Sequence, residues 1–186
     1  MRVVGGRLRG RALAGPTGDA IRPTSDRLRE ALFNVLAHAY DDPVPGARVL
    51  DLFAGTGALA IEALSRGATH AVLVDDSPAS RGLIRQNLDA LGLGGSGRLF
   101  RRDATRLGPA DANGTFSLVF CDPPYGRGLG TAALASARAG GWLLPGALAV
   151  LEEAAGQAGP VPDGFTECER RRYADTEIVV MRAAEH

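Results

Sequence analysis

From residue 46 onward, short β-branched or Leu-rich runs alternate with longer helical patterns, and this alternation restricts the fold more than any other feature. Such a rhythm predicts a mainly parallel sheet with helices on its faces. Strands are expected at 47–52, 71–75, 98–101, 116–122 and 147–152, with helices filling the gaps. From Gly57, the residues Leu59, Ile61, Ala63 and Leu64 carry a helix as far as Gly67, a natural C-terminal stop. The next helix opens at Ser77 and Pro78, a cap and a first-turn residue, and its Leu83, Ile84, Leu88 and Leu91 form a buried stripe. After Glu152 a Gly/Pro-rich link leads into two extended runs, 165–173 and 176–182, separated by a short polar turn. They read as an antiparallel pair closing the sheet edge.

Ahead of this core, residues 2–13 predict a Gly-bent hairpin, and Thr24 or Ser25 starts an amphipathic helix with Leu28, Leu32, Val35 and Leu36 on its apolar face. The expected division is a basic extension over 1–40, hairpin and helix, and an α/β domain over 41–186. The 186 residues, 45% of them hydrophobic, suffice for one full core. No run approaches the roughly 18 apolar residues of a membrane span, and the N-terminus has no signal-peptide core, so a cytoplasmic protein is expected. Cys121 and Cys168 lie far apart, and His38, His70 and His186 are scattered, so neither a disulfide framework nor a metal site is expected.

The first strand runs into Asp51, Leu52, Phe53, Ala54, Gly55, Thr56 and Gly57 and then directly into a helix. The chain must turn sharply there while bringing backbone close to a ligand, which Gly55 and Gly57 permit. The Gly55-x-Gly57 spacing also fits a dinucleotide loop. Asp51 argues against a pyrophosphate, because a carboxylate at the loop mouth repels phosphate and attracts the ammonium of a methionine moiety. A sulfonium cofactor, S-adenosylmethionine, fits better. Asp75, ending the second strand, has two oxygens for the ribose hydroxyls. Asp103 and Ala104, after the third, are placed for adenine, the carboxylate accepting from its amino group and backbone N–H donating to the ring. All three positions fall at the carboxyl edge, where open α/β sheets bind ligands.

The fourth strand ends in Asp122, Pro123, Pro124 and Tyr125 at the same edge. An aromatic amino nitrogen is a weak nucleophile because its lone pair is delocalised, so its hydrogens must be held and the pair turned toward the methyl group. The Asp122 carboxylate and the Pro123 carbonyl are suited to accept those hydrogens, while the double proline stiffens the turn. Tyr125 would stack on the target base. These features predict methyl transfer to an exocyclic amine without a covalent enzyme intermediate.

The segments 21–36 (IRPTSDRLREALFNVL), 51–68 (DLFAGTGALAIEALSRGA), 122–125 (DPPY) and 171–180 (RRYADTEIVV) together resemble the RsmD family of bacterial 16S rRNA guanine-N2 methyltransferases. The second and third segments occur in looser form in many amino-group methyltransferases, whereas the first and last are more particular. The resemblance implies a Rossmann-like S-adenosylmethionine-dependent methyltransferase fold, plus the N-terminal hairpin and helix. It also implies methylation of a guanine N2 in 16S rRNA of an assembled or partly assembled small subunit, with S-adenosylhomocysteine as product. It assigns Asp51, Phe53, Ala54, Gly55 and Gly57 to the methionine end, Asp75 to ribose, Asp103 and Ala104 to adenine, and Asp122 to Tyr125 to catalysis. Two departures stand out: Asp75 is one methylene shorter than the family's common Glu, and Ala60 replaces a usual Gly.

RNA contact is expected from Arg7, Arg9, Arg11 and Arg22, since residues 1–29 hold seven arginines against Asp19 and Asp26 although the whole chain has zero formal charge. A monomer is expected. The competing readings are an adenine-N6 methyltransferase acting on DNA or RNA, for which no DNA-reading domain is evident, and a non-catalytic ribosome-assembly factor, which the intact tetrapeptide disfavours.

Overall fold

Near-continuous apolar runs make strands that bury both faces, and that is how the central strands of the computed structural model behave. The structure describes residues 1–18 and 24–185. In chain order they form α1 (Asp26–Ala39), β1 (Arg48–Leu52), α2 (Ala58–Ser65), β2 (His70–Val74), α3 (Pro78–Ala90), β3 (Gly97–Phe100), β4 (Phe116–Cys121), α4 (Leu129–Ala139), β5 (Leu143–Ala154), β6 (Phe165–Tyr173) and β7 (Thr176–Ala183). The strands make one sheet in the order β3-β2-β1-β4-β5-β7-β6. Pairings from β3 through β5 are parallel, whereas β7 runs antiparallel to both β5 and β6. The expected C-terminal hairpin therefore forms, with β7 inserted and β6 left as the charged edge strand.

Alternate strand residues feed two cores. Val49, Leu73 and Phe120 pack with α1, α2, α3 and the N-terminal segment, while Leu50, Val72 and Val119 pack with α4 and the fully buried Trp142. Two expectations about the sheet and its connections need correction. The gap between β3 and β4 holds only short 3-10 turns, Ala104–Arg106 and Asp111–Asn113, because Gly108, Pro109 and Gly114 interrupt any longer helix. Strand β5 starts at Leu143, not 147; its register against β4 shifts where Pro145 and Gly146 break the apolar alternation.

The N-terminal turn closes with a single bridge, Arg2 to Ala12, and not a regular hairpin. It is fastened to the helices by polar side chains. Glu62 of α2 accepts from the backbone N–H of Val4 at 3.0 Å and of Gly5 at 2.9 Å. The Ser65 hydroxyl accepts from Leu8 N at 2.9 Å and donates to Gly5 O at 2.6 Å. Asn87 of α3 pairs with both backbone groups of Ala14, at 2.7 and 3.1 Å. Gly6 is obligatory here: its φ is +76° and an added Cβ would lie 2.0 Å from Ser65 O.

Helix α1 is capped by Ser25, whose hydroxyl accepts from Leu28 N at 3.1 Å. Its buried face is Arg29, Leu32, Phe33 and Leu36, so Phe33 and Arg29 take places expected of Val35 and Leu28, which are only partly buried. Arg29 thereby leaves the expected basic arm: it is 0% exposed and pairs with Asp26 at 2.5 Å and Glu62 at 3.6 Å.

Candidate active site

The order of strands reverses at β1, which lies between β2 and β4, and the crevice for a ligand opens at the carboxyl ends of these strands. A cavity of about 640 Å³ sits there. Its wall brings together residues from four strand ends: Asp51, Phe53, Ala54 and Gly55 (but not Gly57) at β1, Asp75 after β2, Asp103 and Ala104 after β3, and Asp122 to Tyr125 after β4; no residue of 171–180 lines it.

The loop after β1 turns through three left-handed residues, Phe53 (φ 58°), Gly55 (φ 62°) and Gly57 (φ 84°). For Phe53 this costs on the order of 1–3 kcal/mol, the kind of strain that persists where surrounding structure fixes it. Ala54 N, bonded to Val74 O at 3.0 Å, supplies part of that restraint. At Gly57 the φ of +84° and the 3.1 Å that a Cβ would keep from the Leu73 side chain both favour glycine where the helix starts against the sheet.

Asp51 is 1% exposed. Its Oδ2 accepts from Ala60 N at 3.1 Å, but Oδ1, also buried, has no hydrogen-bond partner among the described residues. Burial pushes its carboxyl from 3.8 up to about 7; the Ala60 N–H opposes that rise and the nearby Asp75 charge adds to it. A buried acceptor left unpaired at a cavity wall suits a cationic donor. Ala60, buried in the first turn of α2, provides this backbone donor.

Asp75 is half-buried, and its two oxygens accept from Gly55 N and Ser77 N, both at 3.0 Å. Burial raises its pKa against the pull of these two donors. The shorter side chain is thus drawn onto the glycine loop, and each oxygen retains further acceptor capacity toward the cavity. Asp103 is exposed, and its Oδ1 caps the following turn by accepting from Thr105 N at 2.9 Å and Thr105 Oγ1 at 2.7 Å. Those bonds hold its pKa below the usual carboxylate range. Ala104 is buried beneath it. Among the described residues no group of three His, Cys, Asp or Glu side chains converges on a point as metal ligands would.

The Asp122 to Tyr125 turn is anchored on both sides. Asp122 N donates to Leu52 O at 3.3 Å, tying it to β1, and Gly126 N donates to the buried Glu153 at 2.9 Å. Pro123 is buried and Pro124 exposed. Helix α4 approaches so closely that a Cβ on Gly130 would lie 2.5 Å from Leu151 and 3.2 Å from Pro123. Thr24, Arg102, Thr105 and Arg127 line the cavity as well, although the sequence reading did not select them as site residues. Their available signal was position alone: Thr24 inside the PTSDR run and Arg127 two residues past the tetrapeptide.

Arg7, Arg9 and Arg11 are exposed, as a contact arm requires, but they lie away from the cavity. Arg7 N bonds Ser65 O at the far end of α2, and the Arg11 guanidinium bonds Ala90 O at the far end of α3. The eight residues of α2 place the Arg7 backbone about 12 Å from the glycine loop. Arg22 lies outside the described residues.

A mostly parallel seven-stranded sheet with its ligand crevice at this switch point, and with the C-terminal antiparallel pair, is the Rossmann-like methyltransferase fold. The chain belongs to the RsmD family: the family model described as "Conserved hypothetical protein 95" matches residues 1–182. Ribosomal RNA small subunit methyltransferase D of Escherichia coli K12 is 41% identical over 153 residues, spanning 82% of this chain and 74% of that protein. The protein of the same name from Haemophilus influenzae is 29% identical over 168 residues, spanning 89% and 85%. The solved structure of yhhF from Escherichia coli superposes with a TM-score of 0.83 at 31% identity, covering 100% of this chain and 99% of that one.

Proposed function

We propose that this protein is a cytoplasmic, S-adenosylmethionine-dependent methyltransferase that modifies the exocyclic N2 of a guanine in 16S rRNA, within an assembled or partly assembled small subunit. The observation that carries this reading is the single cavity wall shared by the glycine loop, Asp75, Asp103 and the Asp122 to Tyr125 turn. The rRNA substrate is supported by the names of the relatives, and the choice of guanine by the family resemblance.

In this reading the unpaired Asp51 Oδ1 receives the ammonium group of the cofactor, Asp75 the ribose hydroxyls, and the Asp103 to Ala104 corner the adenine. Phe53, Ala54 and Gly55 form the wall along the methionine end, and Gly57 shapes the turn behind them. When bound, S-adenosylmethionine supplies an electrophilic methyl group. The protein's part is to present the nitrogen. Asp122 and the Pro123 carbonyl accept the two amino hydrogens, which turns the nitrogen lone pair out of conjugation, and the Tyr125 ring supports the base face. The proton released after transfer passes to Asp122 or to water.

The extension over 1–40 fits the RNA-contact role through Arg7, Arg9, Arg11 and Arg22. With the described three about a helix length from the cavity, the RNA they hold is a flanking backbone and not the target nucleotide. The decisive experiment incubates the purified protein and labelled cofactor with small-subunit RNA from cells lacking this gene. Label is expected in N2-methylguanine; label in N6-methyladenine, or only on DNA, sinks the proposal.

A further inference from the structure

Thr24 precedes the helix cap, and Ser25 performs the capping, so local structure asks nothing of the Thr24 side chain. It is nevertheless 6% exposed and is turned toward a residue 98 positions away. Its hydroxyl lies 2.9 Å from Asp122 Oδ2 and 3.3 Å from Glu152 Oε2. A hydroxyl has one proton to donate, and the shorter contact directs it to Asp122. Glu152, on β5 and 4% exposed, accepts from the Tyr125 hydroxyl through its other oxygen at 3.1 Å. The same Tyr125 hydroxyl is 3.0 Å from the buried Thr176 Oγ1 of β7. Asp122 is thus bonded directly to Thr24 at the start of α1, and Tyr125 to the buried Glu152 that lies beside the same hydroxyl.

The join matters because a carboxylate torsion is broad and a tyrosine ring turns freely when its hydroxyl has no anchor. Catalysis by two acceptors and a stacking ring requires both to be fixed before the base arrives. We propose that Thr24 and Glu152 are positioning residues for methyl transfer, Thr24 setting the plane of the Asp122 carboxylate and Glu152 setting the Tyr125 ring. The N-terminal segment is then part of the catalytic unit as well as a contact arm. This inference rests on the reading that the Asp122 to Tyr125 turn receives the amino group.

The test compares the full-length wild type with Thr24→Val, Thr24→Ser and Tyr125→Phe in single-turnover methylation of small-subunit RNA. RNA affinity, cofactor affinity and thermal midpoint are measured beside the rate. Thr24→Val keeps the shape and removes one hydrogen bond to a charged group, so the rate should fall about ten- to a hundredfold. RNA and cofactor affinities should stay within about twofold, the pattern of an interaction used on the way to the transition state. Thr24→Ser, which retains the hydroxyl, should return most of the rate. Tyr125→Phe keeps the ring and loses its anchor, and should reproduce the Thr24→Val pattern without a change in fold. Wild-type turnover by both Thr24→Val and Tyr125→Phe overturns the inference, as does a Thr24→Val loss that resides wholly in affinity or thermal midpoint. A wild-type protein that leaves small-subunit RNA unlabelled overturns the functional reading itself, a different result from active wild type with indifferent variants.

Discussion

Replacing Asp51 by Asn removes a titration whose effect can be worked from its surroundings. The carboxyl is driven from 3.8 to about 7 by burial, with the Ala60 N–H pulling the other way and Asp75 adding to the rise. Since the folded value is the higher one, the native state keeps a proton between about pH 4 and pH 7 that the unfolded chain has already released. The stability this contributes is complete below the unfolded pKa and is lost as the pH rises through the folded one. A displacement of about three pH units corresponds to at most about 4 kcal/mol. Asn has nearly the same shape and no charge to lose. Urea unfolding of both proteins from about pH 4 to about pH 8 should therefore show the wild type losing stability relative to Asp51→Asn by up to that amount. S-adenosylhomocysteine, which keeps the ammonium group, should stabilise the wild type by an amount that grows as the pH rises toward about 7 and then levels, while its effect on the variant stays flat with pH. Parallel pH profiles for the two proteins, with and without this ligand, would refute both the buried titration and the assignment of Asp51 to the ammonium.

Asp122→Ala is expected to abolish methyl transfer while calorimetry still shows near-normal cofactor binding; equal loss of both would give Asp122 a structural role. Glu62→Gln leaves the buried Arg29 guanidinium without its buried counter-charge and weakens the backbone contacts to Val4 and Gly5, so denaturant unfolding should reveal a loss of about 3–5 kcal/mol. Faster amide exchange over residues 3–13 should accompany it. Replacing Arg7, Arg9 and Arg11 together by Ala should lower the log–log salt slope of RNA binding by roughly two, as expected for three contacts to single-stranded phosphates, with little change in the single-turnover rate at saturating RNA.

The parts of this protein that were legible in advance are those whose physics is local. Apolar runs in β1, β2 and β4 are dictated by burial on both faces, the Ser77-Pro78 start of α3 by cap chemistry, and the glycine loop by its left-handed backbone. Because every parallel strand delivers its carboxyl end to one edge, recognising the strands also placed Asp51, Asp75, Asp103 and Asp122 around a common crevice. What was not legible is polar and long-range. Arg29 looks like a surface charge on an amphipathic helix until the fold sets Glu62 beside it, thirty-three positions later. Thr24 looks like one of two equivalent caps until Ser25 takes the role and the spare hydroxyl meets Asp122. Glu152 and Glu153, buried at the end of an otherwise apolar strand, are the one local hint that something polar must lie opposite them, because a buried carboxylate is tolerated only where donors await it. Those donors prove to be the Tyr125 hydroxyl for Glu152 and the backbone N–H of Gly126 for Glu153. A charged pair inside a strand that pattern alone would fill with Val or Leu thus points from the scaffold to the turn it supports, and the local violation falls beside the candidate site rather than at random.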